Sequence, residues 1–188
     1  FPHLTLAAVV DADIGLVSND PRAAERTFQL LAQVTGRAGR GEKPGRGLLQ
    51  TYQPQHPVIT ALLSGDHERF YAEEIAARQA AGLPPFGRLA SLLVSARERA
   101  AAEHHARLIA QAGHRVLAAQ LADPFDAALL GPADPPMALL RGKHRVRLIL
   151  KTKRQIAMQA LIRAILREAG TPKGGARVDI DIDPMNFY

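Results

Sequence analysis

"HRVRLILK", residues 144–151, alternates between two kinds of side chain, and that alternation decides how the second half of the chain is read. Residues two apart on a strand share a face, so Val146 and Leu148 point one way while Arg145 and Arg147 point the other. The apolar side is expected to lie against helices and the cationic side to face solvent. Downstream, residues 154–169 carry Met158, Leu161, Ile162 and Ile165 at helical spacing, and "ARVDIDID", residues 176–183, is a last alternating strand. Upstream, "FDAALLGP" (125–132) reads as a short strand. Residues 99–121 read as a helix whose stripe is Leu108, Ile109, Ala112 and Val116, and "RLASLLVSA" (88–96) as another strand. The order β-α-β-β-α-β is that of a split-βαβ, ferredoxin-like α+β domain, an antiparallel sheet covered on one side by two helices.

Before this unit, "LPPFG" (83–87) breaks the pattern. "LTLAAVV" (4–10) is a continuous apolar run ended by Asp11, as in a strand buried on both faces of a parallel sheet. A helix follows, with Asp20 placed to cap, Pro21 suited to its first turn, and Phe28, Leu31 and Ala32 at helical spacing. A strand over 45–52 and helices over 58–63 and 68–81 complete an α/β layout. Two domains are expected, 1–82 and 83–188.

The 188 residues, 47% of them apolar, can build a real core. Lys and Arg number 24 against 18 Asp and Glu, a net charge of +6 that favours polyanionic partners such as nucleic acid or nucleotide phosphate. Cysteine is absent, which excludes a disulfide framework and a thiolate metal site. No apolar run approaches a membrane span, and a cytoplasmic setting is expected. The chain opens with Phe-Pro and has its first methionine at Met137, so it reads as a fragment of a longer protein.

"QVTGRAGRGEKPGRG", residues 33–47, ends the first helix. Gln33, Arg37 and Arg40 recur at intervals of four and three and share one side of the last turn and the loop behind it. Gly36, Gly39 and Gly41 remove side chains that would keep the backbone from a bound group, and two guanidiniums suit the spread charge of a phosphoryl group in transfer. A glycine-rich helix end whose arginines complement the dipole has the same spacing. A P-loop is excluded, because "GEKPGRG" lacks G-x-x-x-x-G-K-[ST] and no strand immediately precedes it.

"QVTGRAGR" resembles motif VI of superfamily-two helicases, Q-x-x-G-R-x-x-R. Together with "FPHLTLAAVVDAD", "RAAERTFQLLAQVTGRAGR", "LPPFGRLASLLVSA", "LLGPADPPMALLRGKHRVRLILK" and "VDIDIDP", it is similar in order and spacing to the end of the PriA family of primosomal replication-restart helicases. Thr35 stands where the family pattern has Ala, and "NDPR" (19–22) where it has Pro-Asp-Phe-Arg. The resemblance implies that the first domain is the last part of a second RecA-like helicase lobe. Gln33, Gly36, Arg37 and Arg40 would then meet ATP, with Arg37 and Arg40 reaching the γ-phosphate. ATP and Mg would be held in the full-length protein with residues of another lobe, and the family's zinc site would lie outside this chain. The fragment is expected to bind none of these and to be inactive alone, as part of an ATP hydrolase that recognises stalled or forked DNA and restarts replication through primosome assembly.

From 141 to 154, Arg141, Lys143, Arg145, Arg147, Lys151, Lys153 and Arg154 stand without a carboxylate among them. Arg141, Lys143, Arg145, Arg147 and Lys151 form either an ordinary solvated sheet face or a patch that tracks the phosphates of single-stranded or forked DNA, indifferent to sequence. A second function implied by the resemblance is docking of partners, among them other primosome proteins and single-stranded DNA-binding protein. The acidic tail of the latter would sit around Arg154 and a helix carrying Gln155 and Gln159, although a family arginine is replaced by Gln155. Asp179, Asp181 and Asp183 share one strand face, but at nearly 7 Å spacing they suit a solvated or Arg-paired face better than a metal. Asp11 and Asp13 follow the first strand and serve either a helix-approach turn or interlobe coupling. His104 and His105, adjacent on a helix, point about 100° apart and make no metal site.

Overall fold

The computed structural model describes residues 4–17, 20–38 and 44–187. They form two compact units, Phe1–Ala77 and Arg78–Tyr188.

In the first unit, β1 (Leu6–Val9) pairs in parallel with β2 (Arg46–Leu49), Ala7 standing opposite Gly47. A parallel pair needs a crossover, and α1 (Ala23–Thr35) supplies it. α2 (Pro57–Ser64) and α3 (His67–Ala80) follow. The unit boundary falls inside α3, ahead of the Pro-Pro break. Asp20 accepts a bond from the Arg22 amide at 2.9 Å and pairs with Arg26 at 2.8 Å, fixing the turn that leads into α1. Phe28 and Leu31 of α1 are buried, and the Phe28 ring stacks on Phe70 of α3 at 4.3 Å. At the other end of the helix, a Cβ on Gly47 would meet the Thr35 Cγ2 at 2.9 Å, so only glycine lets α1 close this tightly on β2.

β1 is not buried on both faces, as its unbroken apolar run suggested. Ala7 is buried and Val9 packs on the core, whereas Leu6 and Val10 are exposed, as is Leu48 on β2. Burial of both faces requires a layer on each side of the sheet. Among the described residues, the helices of this unit pack into one core on one side.

The second unit holds β3 (Gly87–Ala96), α4 (Arg99–Gln120), β4 (Ala127–Ala133), β5 (Leu139–Leu140), β6 (Lys143–Lys153), α5 (Met158–Ala169) and β7 (Arg177–Ile182). The sheet order is β4-β6-β3-β7, every pairing antiparallel, with β5 paired to β6. Val146, Leu148 and Leu150 of β6 meet Leu92 and Val94 of β3, Ile109 and Val116 of α4, and Leu161 and Ile165 of α5 in one core. Each such side chain stabilises the fold by about 1.5–3 kcal/mol relative to exposure. The helical stripes of α4 and α5 follow the periodicity of the sequence, except that Leu108 is only half-buried. Gly113 of α4 sits so close to the sheet that a Cβ there would come within 2.2 Å of the Leu129 Cδ2.

Two details differ from the sequence pattern. α5 begins at Met158 rather than at residue 154, because the chain leaving β6 first makes a turn in which the Ile156 amide bonds the Lys153 carbonyl at 3.2 Å. β5 makes a hairpin with β6 in which Leu140 faces Lys143 across a two-residue loop, Arg141 at φ 51 and Gly142 at φ 72. Positive φ at both positions is the type I′ geometry whose twist matches the strands.

Candidate functional site

At the end of α1, Gly36 is the C-cap, its amide bonded to the Ala32 carbonyl at 2.9 Å, and Arg37 continues the turn through its amide to Val34 at 3.2 Å. Gln33, Gly36 and Arg37 are all exposed. The Arg37 guanidinium makes no bond or ion pair among the described residues, so the turn presents a cation, one α-helical turn beyond Gln33, to whatever lies outside. Arg40, Gly39 and Gly41 lie outside the described residues.

Asp13 is the best-held polar group near this unit's strand ends. It is 8% exposed and accepts bonds from the Thr51 hydroxyl at 2.5 Å and the Tyr52 amide at 2.7 Å, joining the loop after β1 to the loop after β2. The Thr51 hydroxyl bond first, then the Tyr52 amide, hold the Asp13 carboxyl below the ordinary carboxylate range against the opposing effect of burial. Asp11 accepts a bond from the Asp13 amide at 2.9 Å, a local turn. The geometry is therefore that of a loop clasp.

The cations of residues 141–154 do not form one open face. The side chains of Arg141 and Lys143 stand exposed at the β5–β6 hairpin and make no hydrogen bond or ion pair among the described residues. Arg145 does not face solvent as the alternation suggested: it is 8% exposed and donates to the Met137 carbonyl at 3.3 Å. Arg147 is half-buried, donates to the Phe187 carbonyl at 2.5 Å, and lies 5.2 Å from the centre of the Phe187 ring. Alternation fixed the face correctly, since Val146 and Leu148 do enter the core, but the chain itself covers that face. Lys151 donates to the Ala81 carbonyl at 3.1 Å. Lys153 pairs with Asp126 at 2.8 Å and Asp123 at 3.3 Å, and these two carboxylates, Asp126 foremost, hold its ammonium firmly charged.

Arg154 donates to the Pro85 carbonyl at 3.5 Å; Gln155 lies in the turn before α5, not on the helix, and Gln159 is exposed in the first turn of α5. Phe86, Phe125, Lys151 and Lys153, the last of these preceding Arg154 in the chain, line a cleft of about 280 Å³. The carboxylates on and just after β7 are held separately: Asp179 pairs with Arg177 at 3.1 Å, and Asp183, the residue after the strand, with Arg88 at 2.8 Å. No group of three His, Asp or Glu side chains converges among the described residues. His105 is buried in α4, and burial pushes its pKa below the usual histidine value.

Residues 79–185, the whole of the β3-to-β7 sheet with its helices, match the family model described as the primosomal protein N C-terminal domain. The chain belongs to the PriA C-terminal domain family. Over 188 residues it is 38% identical to the replication restart protein PriA of Rickettsia prowazekii (strain Madrid E) and 40% identical to that of Bacillus subtilis (strain 168), covering all of this chain in each case. Over 186 residues it is 39% identical to the Treponema pallidum (strain Nichols) protein of the same name, covering 99% of this chain. It spans 28%, 22% and 27% of the length of these three relatives.

Within this PriA C-terminal domain, sequence reasoning found the cationic strand but missed what engages it. Met137 enters through its backbone carbonyl and Phe187 through its carbonyl as well as its ring; a carbonyl is common to every residue, and no spacing brings a ring 40 positions away to Arg147. Asp123 and Asp126 were legible as carboxylates, and the antiparallel pairing of β4 with β6 is what brings Lys153 to them. No helix among the described residues is long and apolar enough to cross a membrane.

Proposed function

We propose that this chain is the C-terminal part of an ATP-dependent DNA helicase that recognises stalled or forked DNA in the cytoplasm and restarts replication through primosome assembly. Its first unit is read as the closing portion of a RecA-like lobe. The second is read as a split-βαβ domain, a reading supported by the order β4-β6-β3-β7 with α4 and α5 in one core. The observation that carries the functional reading is Arg37, exposed just past the C-cap of α1, its side chain without a partner among the described residues, within the sequence stretch "QVTGRAGR". A guanidinium of that kind fits a nucleotide held mainly by another lobe, which would bring ATP and its Mg. Gln33 and Gly36 lie within a turn of it, and Arg40 carries the same role in the sequence pattern. ATP supplies the phosphoryl group whose charge spreads as it leaves; Arg37 binds and orients it. The exposed apolar face of β1 and β2 that carries Leu6 and Leu48 fits a face covered by a further layer of helices from other parts of such a lobe.

DNA contact in this reading falls on β6, starting from Arg141 and Lys143 at the hairpin and extending along Arg145, Arg147 and Lys151. The test is to compare the full-length parent with Arg37→Ala for DNA-stimulated ATP turnover and fork affinity. Loss of turnover with affinity kept supports the reading, and normal turnover refutes it.

The cleft beside Arg154 favours a second role, docking of an acidic, apolar-ended peptide such as the tail of single-stranded DNA-binding protein. Phe86 and Phe125 offer apolar contact and Lys151 a cation in its lining, and Arg154 follows the lining residue Lys153 in the chain; Gln155 and Gln159 are the further contacts the sequence resemblance implies. Titration of such a peptide against the chain and against Arg154→Glu checks it, with weakened binding expected in the variant.

A further inference from the structure

The sheet of the second unit has one side packed on α4 and α5. The other carries a divided set of charges. Arg145, Arg147 and Lys151 stand there on β6, opposite Ser95, Leu93 and Leu89 of β3, and across β3 the edge strand β7 carries Asp179 opposite Leu93 and Asp181 opposite Ser91. Two strand spacings, about 10 Å, separate the backbones of β6 and β7. Asp179 and Asp181 nevertheless line the same small cleft as Arg145 and Arg147, so the carboxylates lower the pull of that cleft on a polyanion.

The chain after β7 returns over this face. Asp183, at φ 53, turns it, held by the Arg88 guanidinium at 2.8 Å and by the Leu89 amide at 3.3 Å. Phe187 then lands on Arg147, which donates to its carbonyl at 2.5 Å and lies 5.2 Å from the centre of its ring. Phe187 is 5% exposed yet belongs to neither hydrophobic core. It lines, with Asn186, Arg145, Arg147, Leu93 and Asp181, a small cleft on the open side of the sheet. A large apolar side chain buried outside the core, on a cation, marks a segment that covers a surface.

We propose that residues 183–187 are a strap over a phosphate-binding face, and that Arg147 serves either the Phe187 carbonyl and ring or a phosphodiester of single-stranded nucleic acid. This rests on the reading of β6 as a DNA-contacting strand and adds a control to it. With the strap down, the hairpin cations Arg141 and Lys143 are exposed while Arg147 is engaged by Phe187. With it lifted, Arg147 joins them, and the contact extends along the strand.

The experiment measures binding of a fluorescent oligothymidylate to the 188-residue chain as salt is varied, for the unaltered chain and for Phe187→Ala, Phe187→Leu, Arg147→Ala, Arg141→Ala and Phe187→Ala/Arg147→Ala. Loss of the ring is expected to tighten binding roughly fivefold, the size of one partly desolvated cation–π contact. The salt dependence should steepen by about 0.7 in log–log slope, one added phosphate on a single strand. The double variant should bind like Arg147→Ala alone. Phe187→Leu keeps an apolar side chain without the aromatic face and should give a smaller gain, which provides the readout if Phe187→Ala folds poorly. Unchanged or weaker binding of both Phe187 variants, with Arg141→Ala still weakening it, overturns the strap while leaving the DNA reading intact. Indifference of binding to Arg141→Ala and Arg147→Ala alike overturns the DNA reading, and the strap with it.

Discussion

The hydroxyl of Thr51 donates to the carboxylate of Asp13 across 38 positions of sequence, at 2.5 Å. With the Tyr52 amide on the other oxygen, this clasp ties the loops that follow the two parallel strands. Because both bonds are made to the ionised carboxylate, the folded-state pKa lies below the unfolded value. The stability it contributes is therefore present above the unfolded value, about 3.9, and is lost as pH falls through the folded pKa. Asp13→Asn is expected to lower the thermal midpoint at pH 7 and to flatten its decline below pH 4. Thermal melts of both proteins between pH 3 and pH 7 check this; equal midpoints at pH 7 would show the clasp to be idle.

Thr152 of β6 is buried at 2% exposure, and its hydroxyl has no hydrogen-bond partner among the described residues. Thr152→Val replaces that hydroxyl by a methyl of similar shape and is expected to stabilise the second unit by about 1 kcal/mol, the lower end of the cost of an unsatisfied buried group. Chemical denaturation compares the two chains; a destabilised variant would mean that the hydroxyl has a partner after all.

Alternation and helical spacing were enough to order the elements of the second unit, because Val146, Leu148, Ile109 and Ile165 sit at positions where either period leaves one face apolar. Two kinds of feature stayed hidden. The β5 hairpin places Arg141 where Asn or Asp is the usual signal, so its turn chemistry was silent. The cover over Arg145 and Arg147 comes from Met137 and Phe187, 8 and 40 positions away, and periodicity reports a face without reporting what lies on it. The same limit explains β1, whose unbroken apolar run predicted two covered faces where the described residues cover one.

Arg145 and Arg141 are expected to behave oppositely on mutation, though both were grouped in one cationic patch. Arg145 is buried and bonded to Met137, so Arg145→Ala should cost about 1.5–3 kcal/mol of stability, the range for a hydrogen bond to a charged group. Arg141→Ala removes an exposed side chain and should leave the melt within about 0.5 kcal/mol. Paired denaturation curves decide it, and equal losses in the two variants would contradict the placement of Arg145.

Arg37 tests the first unit in the full-length parent. Its guanidinium is exposed at the end of α1 and makes no bond among the described residues, so its removal should not disturb the fold. If it meets a phosphoryl group in transfer, it stabilises the spread charge of the transition state more than bound ATP, an effect typically worth about 10³ or more in turnover. Lysine keeps the charge but loses the planar fork that grips two oxygens at once, so Arg37→Lys should fall nearly as far as Arg37→Ala. Substrate affinity should change little, because the loss is confined to the transition state and appears in kcat rather than in KM. Fork affinity, carried by other surfaces, should survive both changes. Steady-state ATP hydrolysis with saturating DNA, measured beside fork binding for both variants, separates the outcomes. A loss of turnover only in Arg37→Ala would make Arg37 a point charge near the nucleotide. No loss in either would make "QVTGRAGR" the glycine-rich end of a helix and nothing more.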